Sequence, residues 1–169
     1  MAAKSPIHAF FGSDEARVKE AALKLSRELA PADEMGLEII SGGADNAEHA
    51  TRIVADTIEA IQTMPFFGGD KLVWLQQATF FGDTQTGKAE STLSSVDSLT
   101  SLLEEGLPPG VTLIISATEV DKRRAFFKRL SKIASVEIFD RVDTKKAGWE
   151  MEVVSSVSAR AKAIGLEMS

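Results

Sequence analysis

Cysteine is absent from the 169-residue chain. That excludes disulfides, thiolate metal sites and cysteine nucleophiles together. Only two histidines occur, His8 and His49. They fall in different predicted elements, so neither a zinc centre nor a histidine relay is readily assembled, and no metal site is expected. No apolar run approaches the roughly 20 residues that a membrane span requires. The stretch Met1 to Phe11 has one lysine and too short an apolar segment for a signal peptide. A cytoplasmic address with no membrane partner is therefore expected. Excess positive charge is lacking too. The net charge is −6, whereas a domain that grips DNA phosphates unaided usually presents a basic face. Work on DNA, if any, would run through protein partners.

What is present is an alternation of apolar runs and amphipathic stretches. Ile7 to Phe11 reads as a strand ended by Gly12, and Ser13 or Asp14 can cap a helix whose stripe is Val18, Ala21, Ala22, Leu25 and Leu29. Strands follow at Leu37 to Ile40, Lys71 to Leu75, Val111 to Ile115 and Val136 to Phe139. Between them lie helical stripes on Ala50, Ile53, Val54, Thr57, Ile58 and Ile61, on Val96, Leu99, Leu102 and Leu103, and on Phe126, Phe127, Leu130 and Ile133, the last capped by Asp121. Pro108-Pro109-Gly110 is expected to end the third helix. Several strands are continuous rather than alternating apolar runs. That predicts an α/β fold, a parallel five-stranded sheet covered by helices on both faces. The character changes after Asp140. Val153, Val154, Val157, Ala161 and Ile164 make a stripe with nothing following to pack on, so residues 1–140 read as one domain and 141–169 as the truncated beginning of a second. Trp149 could cover the junction between them.

Few residues advertise chemistry, and no catalytic residue is assigned. Gly82-Asp83-Thr84-Gln85-Thr86-Gly87-Lys88-Ala89 has the spacing of a phosphate-binding loop, but Ala89 replaces the hydroxyl residue that would hold magnesium. Thr79-Phe80-Phe81 separates it from the preceding strand, so it reads as a flexible polar loop. A nucleotide loop belongs instead at Gly12-Ser13-Asp14-Glu15, after the first strand. There one glycine, no lysine and two carboxylates favour the helix dipole and repel a triphosphate. No ATP or other cofactor is expected. His8 reads as a satisfied sheet residue, His49 as solvated and Trp74 as core. Lys122, Arg123 and Arg124 form a basic cluster that reads first as a solvated opening turn of a helix, with phosphate or acidic-partner contact as the alternative. Met64-Pro65-Phe66-Phe67-Gly68-Gly69 is a break with two adjacent aromatics. Either one is exposed as an anchor of the kind that dominates interfaces, or both tuck under the sheet edge. The residues alone leave these two readings level.

Phe10-Phe11-Gly12-Ser13-Asp14, Thr63-Met64-Pro65-Phe66-Phe67-Gly68 running into Lys71-Leu72-Val73, Pro108-Pro109 before Thr112 to Ile115, Asp121-Lys122-Arg123 leading to Phe126-Phe127-Lys128-Arg129-Leu130, and Ala161 to Leu166 occur in one order. The ordered series resembles the delta subunit of the bacterial DNA polymerase III clamp loader. The resemblance implies an AAA+, P-loop-like module with a degenerate nucleotide site at Gly12, Ser13 and Asp14, followed by the start of an all-α lid. It also implies a place in a DNA-directed DNA polymerase (nucleotidyltransferase) holoenzyme without catalysis by this chain. The implied partners are the sliding clamp (beta subunit), other loader subunits through a collar domain missing here, and DNA only indirectly. The family's clamp-binding hydrophobic pair falls on Phe66 and Phe67, with Met64 alongside; Phe66 stands where an aliphatic residue is common. Two other readings remain: a P-loop-like NTPase using Gly82 to Lys88, and another decayed AAA+ adaptor. Without cysteine, the chain cannot hold the zinc module typical of other loader subunits.

Overall fold

The computed structural model describes residues 5–31, 36–63 and 69–141. The chain divides into two units, Met1–Phe139 and Asp140–Ser169. Of the second, only residues 140 and 141 are described, so the expected lid stripe and Trp149 lie outside the described residues.

The first unit alternates strands and helices: β1 (Ile7–Phe11), α1 (Glu15–Glu28), β2 (Leu37–Ser41), α2 (Ala47–Gln62), β3 (Lys71–Gln76), the short α3 (Gln85–Lys88), α4 (Glu90–Glu105), β4 (Val111–Ala117), α5 (Ala125–Ile133) and β5 (Ser135–Ile138). The strands form one sheet in the order β2-β3-β4-β1-β5, every neighbouring pair parallel. Registers such as Ile7 opposite Leu113 and Val73 opposite Leu113 align the inward rows. This is the α/β class expected from continuous apolar strands, which need cover on both faces.

One face of the sheet carries Ile7, Ala9, Phe11, Val73, Leu75, Val111, Leu113 and Ile115, packed with Ile53, Val54 and Ile61 of α2, Leu99 and Leu103 of α4, and Leu130 of α5. The opposite face carries Phe10, Leu72, Trp74 and Ile114 against Val18 and Ala22 of α1. Each fully buried leucine or isoleucine here contributes about 2 kcal/mol of transfer free energy. Trp74 is core as expected, and its indole N–H donates to Ser116 Oγ at 3.0 Å. The edge strand β2 buries only Ile40, leaving Leu37 and Ile39 exposed.

Several local expectations are corrected. Asp121 does not cap α5. Its carboxylate accepts the Arg123 backbone N–H at 3.0 Å, bending the chain three residues early, and Arg124 is the N-cap residue without a side-chain cap. The basic cluster is therefore a turn before the helix, not its opening turn. Helix α4 ends at Gly106, whose φ of +104° lets the chain leave before the prolines are reached. His49 is not merely solvated. Its Nδ1 accepts the Asp45 backbone N–H at 3.0 Å, while its backbone N–H donates to Asn46 Oδ1 at 2.8 Å, two bonds that fasten the start of α2.

The largest departure lies between β3 and α4. The polar stretch contains a helical turn, α3, capped by Thr84, with Gly87 buried. Phe80 and Phe81, read as spacers, are fully buried. Phe81 stacks on Phe126 with centroids 4.3 Å apart and meets Phe80 edge-on at 4.8 Å, with Phe11 at 6.4 Å. The aromatics anchor a segment that its polar composition disguises.

Candidate functional site

Helix α2 is docked along its length by Ala50, Ile53, Val54, Thr57, Ala60 and Ile61. It ends at Thr63, whose extended C-cap conformation sends the chain away from the helix axis. Met64, Phe66 and Phe67 follow directly and lie outside the described residues. Description resumes at Gly69, and β3 begins at Lys71.

Lys71 was not anticipated. It opens a strand whose next four residues are apolar, and its side chain is only 5% exposed. The ammonium donates to Ala60 O at 2.6 Å and Thr63 O at 2.7 Å, and pairs with Glu38 Oε1 at 3.2 Å. Two of its oxygens are carbonyls at the C-terminal end of α2, where backbone acceptors lack helical partners and the dipole favours a cation. The backbone N–H of the same residue is held by Gly110 O at 2.8 Å. A sequence signal did exist: a lysine heading an apolar strand, eight residues after the end of a helix.

The loop at Gly12, Ser13 and Asp14 sits at the carboxyl edge of the parallel sheet, where such folds bind ligands. Several backbone donors in and just after it are already used. Gly12 N–H donates to Ala117 O (3.2 Å), Asp14 N–H to Phe139 O (2.8 Å), Glu15 N–H to Ser13 O (3.1 Å), and Arg17 N–H to Asp14 Oδ1 (3.2 Å). Gly12 has φ +144°, and a Cβ there would lie 2.2 Å from Phe139 O. The backbone of Phe139 thus fills the space beside the loop, while the Arg17 guanidinium lies 5.0 Å from the centroid of its ring.

In the basic cluster, Lys122 and Arg123 are exposed and Arg124 is half-buried. Arg123 makes a two-pronged pair with Asp121, Nε–Oδ1 and Nη2–Oδ2 both at 3.0 Å, and approaches Asp83 at 3.7 Å. The hydrogen bonds from Arg123 hold the Asp121 carboxyl down to about 2, and Asp121 in turn raises Arg123. Arg124 donates to Gly87 O at 2.9 Å, tying α3 to the start of α5. Much of this positive charge is thus spent inside the fold.

The Gly82–Lys88 segment has a helix that ends at the lysine. Its amides are engaged, Gly87 N–H with Thr84 Oγ1 (3.0 Å) and Lys88 N–H with Thr84 O (2.8 Å), and Lys88 Nζ pairs with Asp83 at 3.4 Å. A phosphate cradle needs such amides and such a lysine turned outward. Among the described residues no cluster of three or more histidine, aspartate or glutamate side chains is arranged to hold a metal, and no helix is long and apolar enough to cross a membrane.

A family model described as DNA polymerase III, delta subunit, matches residues 8–139. No curated protein matches the chain. Among solved structures, the Bacillus subtilis DNA clamp loader delta protein (YqeN) is similar with a TM-score of 0.64 at 18% identity, covering 95% of this chain and 44% of that one. The chain thus spans less than half the length of that protein, and at this identity the likeness concerns the fold. A chain of the E. coli MS115-1 HORMA:CdnC:Trip13 complex has a TM-score of 0.45 at 14% identity, covering 86% of this chain and 55% of that chain, too low to carry any conclusion.

Proposed function

The chain belongs to the DNA polymerase III delta-subunit family, and on that footing we propose that it serves DNA replication as a clamp-loader subunit that binds the sliding clamp through Met64, Phe66 and Phe67. The observation that carries this reading is the position of the aromatic break. It leaves directly from the C-terminal end of α2, a helix docked on the sheet along its whole length, and the family match runs through it. An apolar anchor on a rigid mount suits gripping another protein.

The action is mechanical. Binding energy at the clamp favours an open or strained ring only to the extent that the plug binds that form more tightly than the closed one. No ATP hydrolysis by this chain enters. The engaged amides of Gly12, Asp14, Glu15 and Arg17 support that reading, as does the Phe139 backbone beside them. Nucleotide handling, contact with DNA and assembly with other loader subunits belong to the rest of the complex, and the polymerase chemistry to the holoenzyme. Residues 141–169 are read as the start of the helical lid. Lys122, Arg123 and Arg124 remain a contact surface for phosphate or a neighbouring subunit, with Arg123 held in place by Asp121.

The test is binding of this chain to its cognate sliding clamp, wild type against the Phe66→Ala/Phe67→Ala double variant. Truncating a hot-spot anchor costs about 2 kcal/mol or more, so affinity should fall at least roughly thirtyfold. A folded double variant that binds as tightly as wild type removes these residues from the site.

A further inference from the structure

The outer edge of the sheet, at β2, is equipped to take a further strand. We propose that it binds an extended segment of a partner protein in which basic and apolar side chains alternate, added alongside β2. This is independent of the clamp reading, because every group involved lies on β2 or α2.

The backbone supplies the first observation. Strand β2 pairs with β3 alone. Gly42 N–H donates to Gln76 O at 2.7 Å, and the alternation of a parallel ladder then turns the N–H and C=O of Ile39 and Ser41 outward. Among the described residues nothing meets these outward groups. Natural edge strands are commonly guarded by lysine, proline or a bulge. Leu37–Ser41 has none of these and runs in unbroken register with β3.

The side chains supply the second. Successive strand residues face opposite sides of the sheet. Glu38 and Ile40 face α2, the first through its pair with Lys71 and the second in the core under that helix. With His49, Ile53, Asp56 and Glu59 of α2 they line a groove of about 480 Å³. Lys71 already balances Glu38. Asp56 and Glu59 are exposed, and no cation of the described residues pairs with either. That groove calls for positive side chains. On the opposite face Leu37 and Ile39 are 36% and 49% exposed, an uncovered apolar strip. A strand laid along β2 sends its side chains alternately to these two surfaces. Main-chain bonds would give it affinity, and the alternation would give it specificity.

The test titrates this chain with a capped peptide of alternating lysine and valine, followed by backbone amide NMR. Shifts should concentrate at Ile39, Ser41 and the facing turns of α2, with a dissociation constant below about 1 mM. A peptide of alternating glutamate and valine should not bind. Asp56→Asn/Glu59→Gln changes two exposed carboxylates, and should weaken binding roughly tenfold and reduce its salt dependence. Ser41→Pro removes an outward N–H without taking a bond from β3; a roughly fivefold loss is expected. Where S41P does not fold, the lysine–valine peptide methylated on alternate backbone nitrogens replaces it, and one of the two possible alternations should lose binding. No shift at β2 with millimolar peptide overturns the proposal, as does equal binding of the glutamate peptide. Binding indifferent to both S41P and backbone methylation excludes an added strand. A chain that dimerises through β2 without peptide gives the edge to a second copy and likewise overturns it.

Discussion

Gly12→Ala is expected to be among the most damaging single-methyl changes in the protein. The added Cβ would meet only backbone: Phe139 O at 2.2 Å, its carbonyl carbon at 2.4 Å and its nitrogen at 2.7 Å. No side-chain rotation relieves that collision. The chain after β5 must withdraw, which breaks Phe139 N–H to Phe11 O (2.7 Å) and Asp14 N–H to Phe139 O (2.8 Å). Each bond is worth about 1 kcal/mol. Holding alanine at φ +144° adds about 1–3 kcal/mol. The expected loss is about 3–5 kcal/mol, a large part of a typical domain stability of about 5–15 kcal/mol. The assay is urea unfolding of G12A beside Gly43→Ala, because a Cβ at Gly43 meets nothing within 4 Å. G12A should lower the midpoint sharply with an unchanged slope, while G43A stays within about 0.5 kcal/mol of wild type. A G12A protein within about 1 kcal/mol of wild type would refute the close packing of Phe139 on this loop.

Phe81→Ala should cost about 3–5 kcal/mol, because Phe81 is fully buried and stacked on Phe126; a loss under about 1 kcal/mol in the same denaturation assay would contradict the aromatic cluster. Asp121→Asn should show a pH signature. The Asp121 carboxyl titrates at about 2 in the fold against an ordinary 3.8, so its stabilisation is fully present above about pH 4 and is lost as pH falls towards 2. The melting-temperature gap between wild type and D121N should therefore narrow across that window, and a gap undiminished at pH 2 counts against the pair with Arg123. Adding ATP with magnesium should leave the melting temperature unchanged; a concentration-dependent rise would revive a nucleotide site.

The sheet was readable because residues 72–75 of β3 and 113–115 of β4 are uninterrupted apolar runs, a pattern that suits strands covered on both faces. The stripes of α2 and α4 were readable for the same reason, most of their predicted inward residues being buried; in α1 only Val18 and Ala22 of the predicted stripe are buried and Leu29 is exposed past the helix end, and in α5 Phe126 and Leu130 are buried. Three features escaped. Phe80 and Phe81 sit beside a polar run, and local composition outweighed the drive of two phenylalanines to be buried. Asp121 was taken as a cap because capping and turn-forming aspartates look alike until the partner N–H is known. Lys71 looked like the polar end of a strand, since its partners Ala60 and Thr63 become neighbours only when α2 folds back on the sheet. At the candidate sites, sequence located the Gly12 loop and its lack of a phosphate-binding lysine. The filling of that space by Phe139 depends on β5 pairing with β1, a contact across the length of the domain.

That pairing also orders events during synthesis. Strand β1 has only two partners, β4 and β5, and Ser5 Oγ–H donates to Ile133 O, 128 residues away in the chain. At ribosomal rates of roughly 5–20 residues per second, β4 emerges roughly 5–20 s after β1. Ile7, Ala9, Phe10 and Phe11, all buried in the finished domain, spend that interval without a sheet to join. The β2-α2-β3 unit meets no such delay, because its two strands pair directly with each other. The nascent domain therefore starts from its middle, with its first strand added near the end between β4 and β5, and until then Ile7–Phe11 is a sticky segment for chaperones to shield.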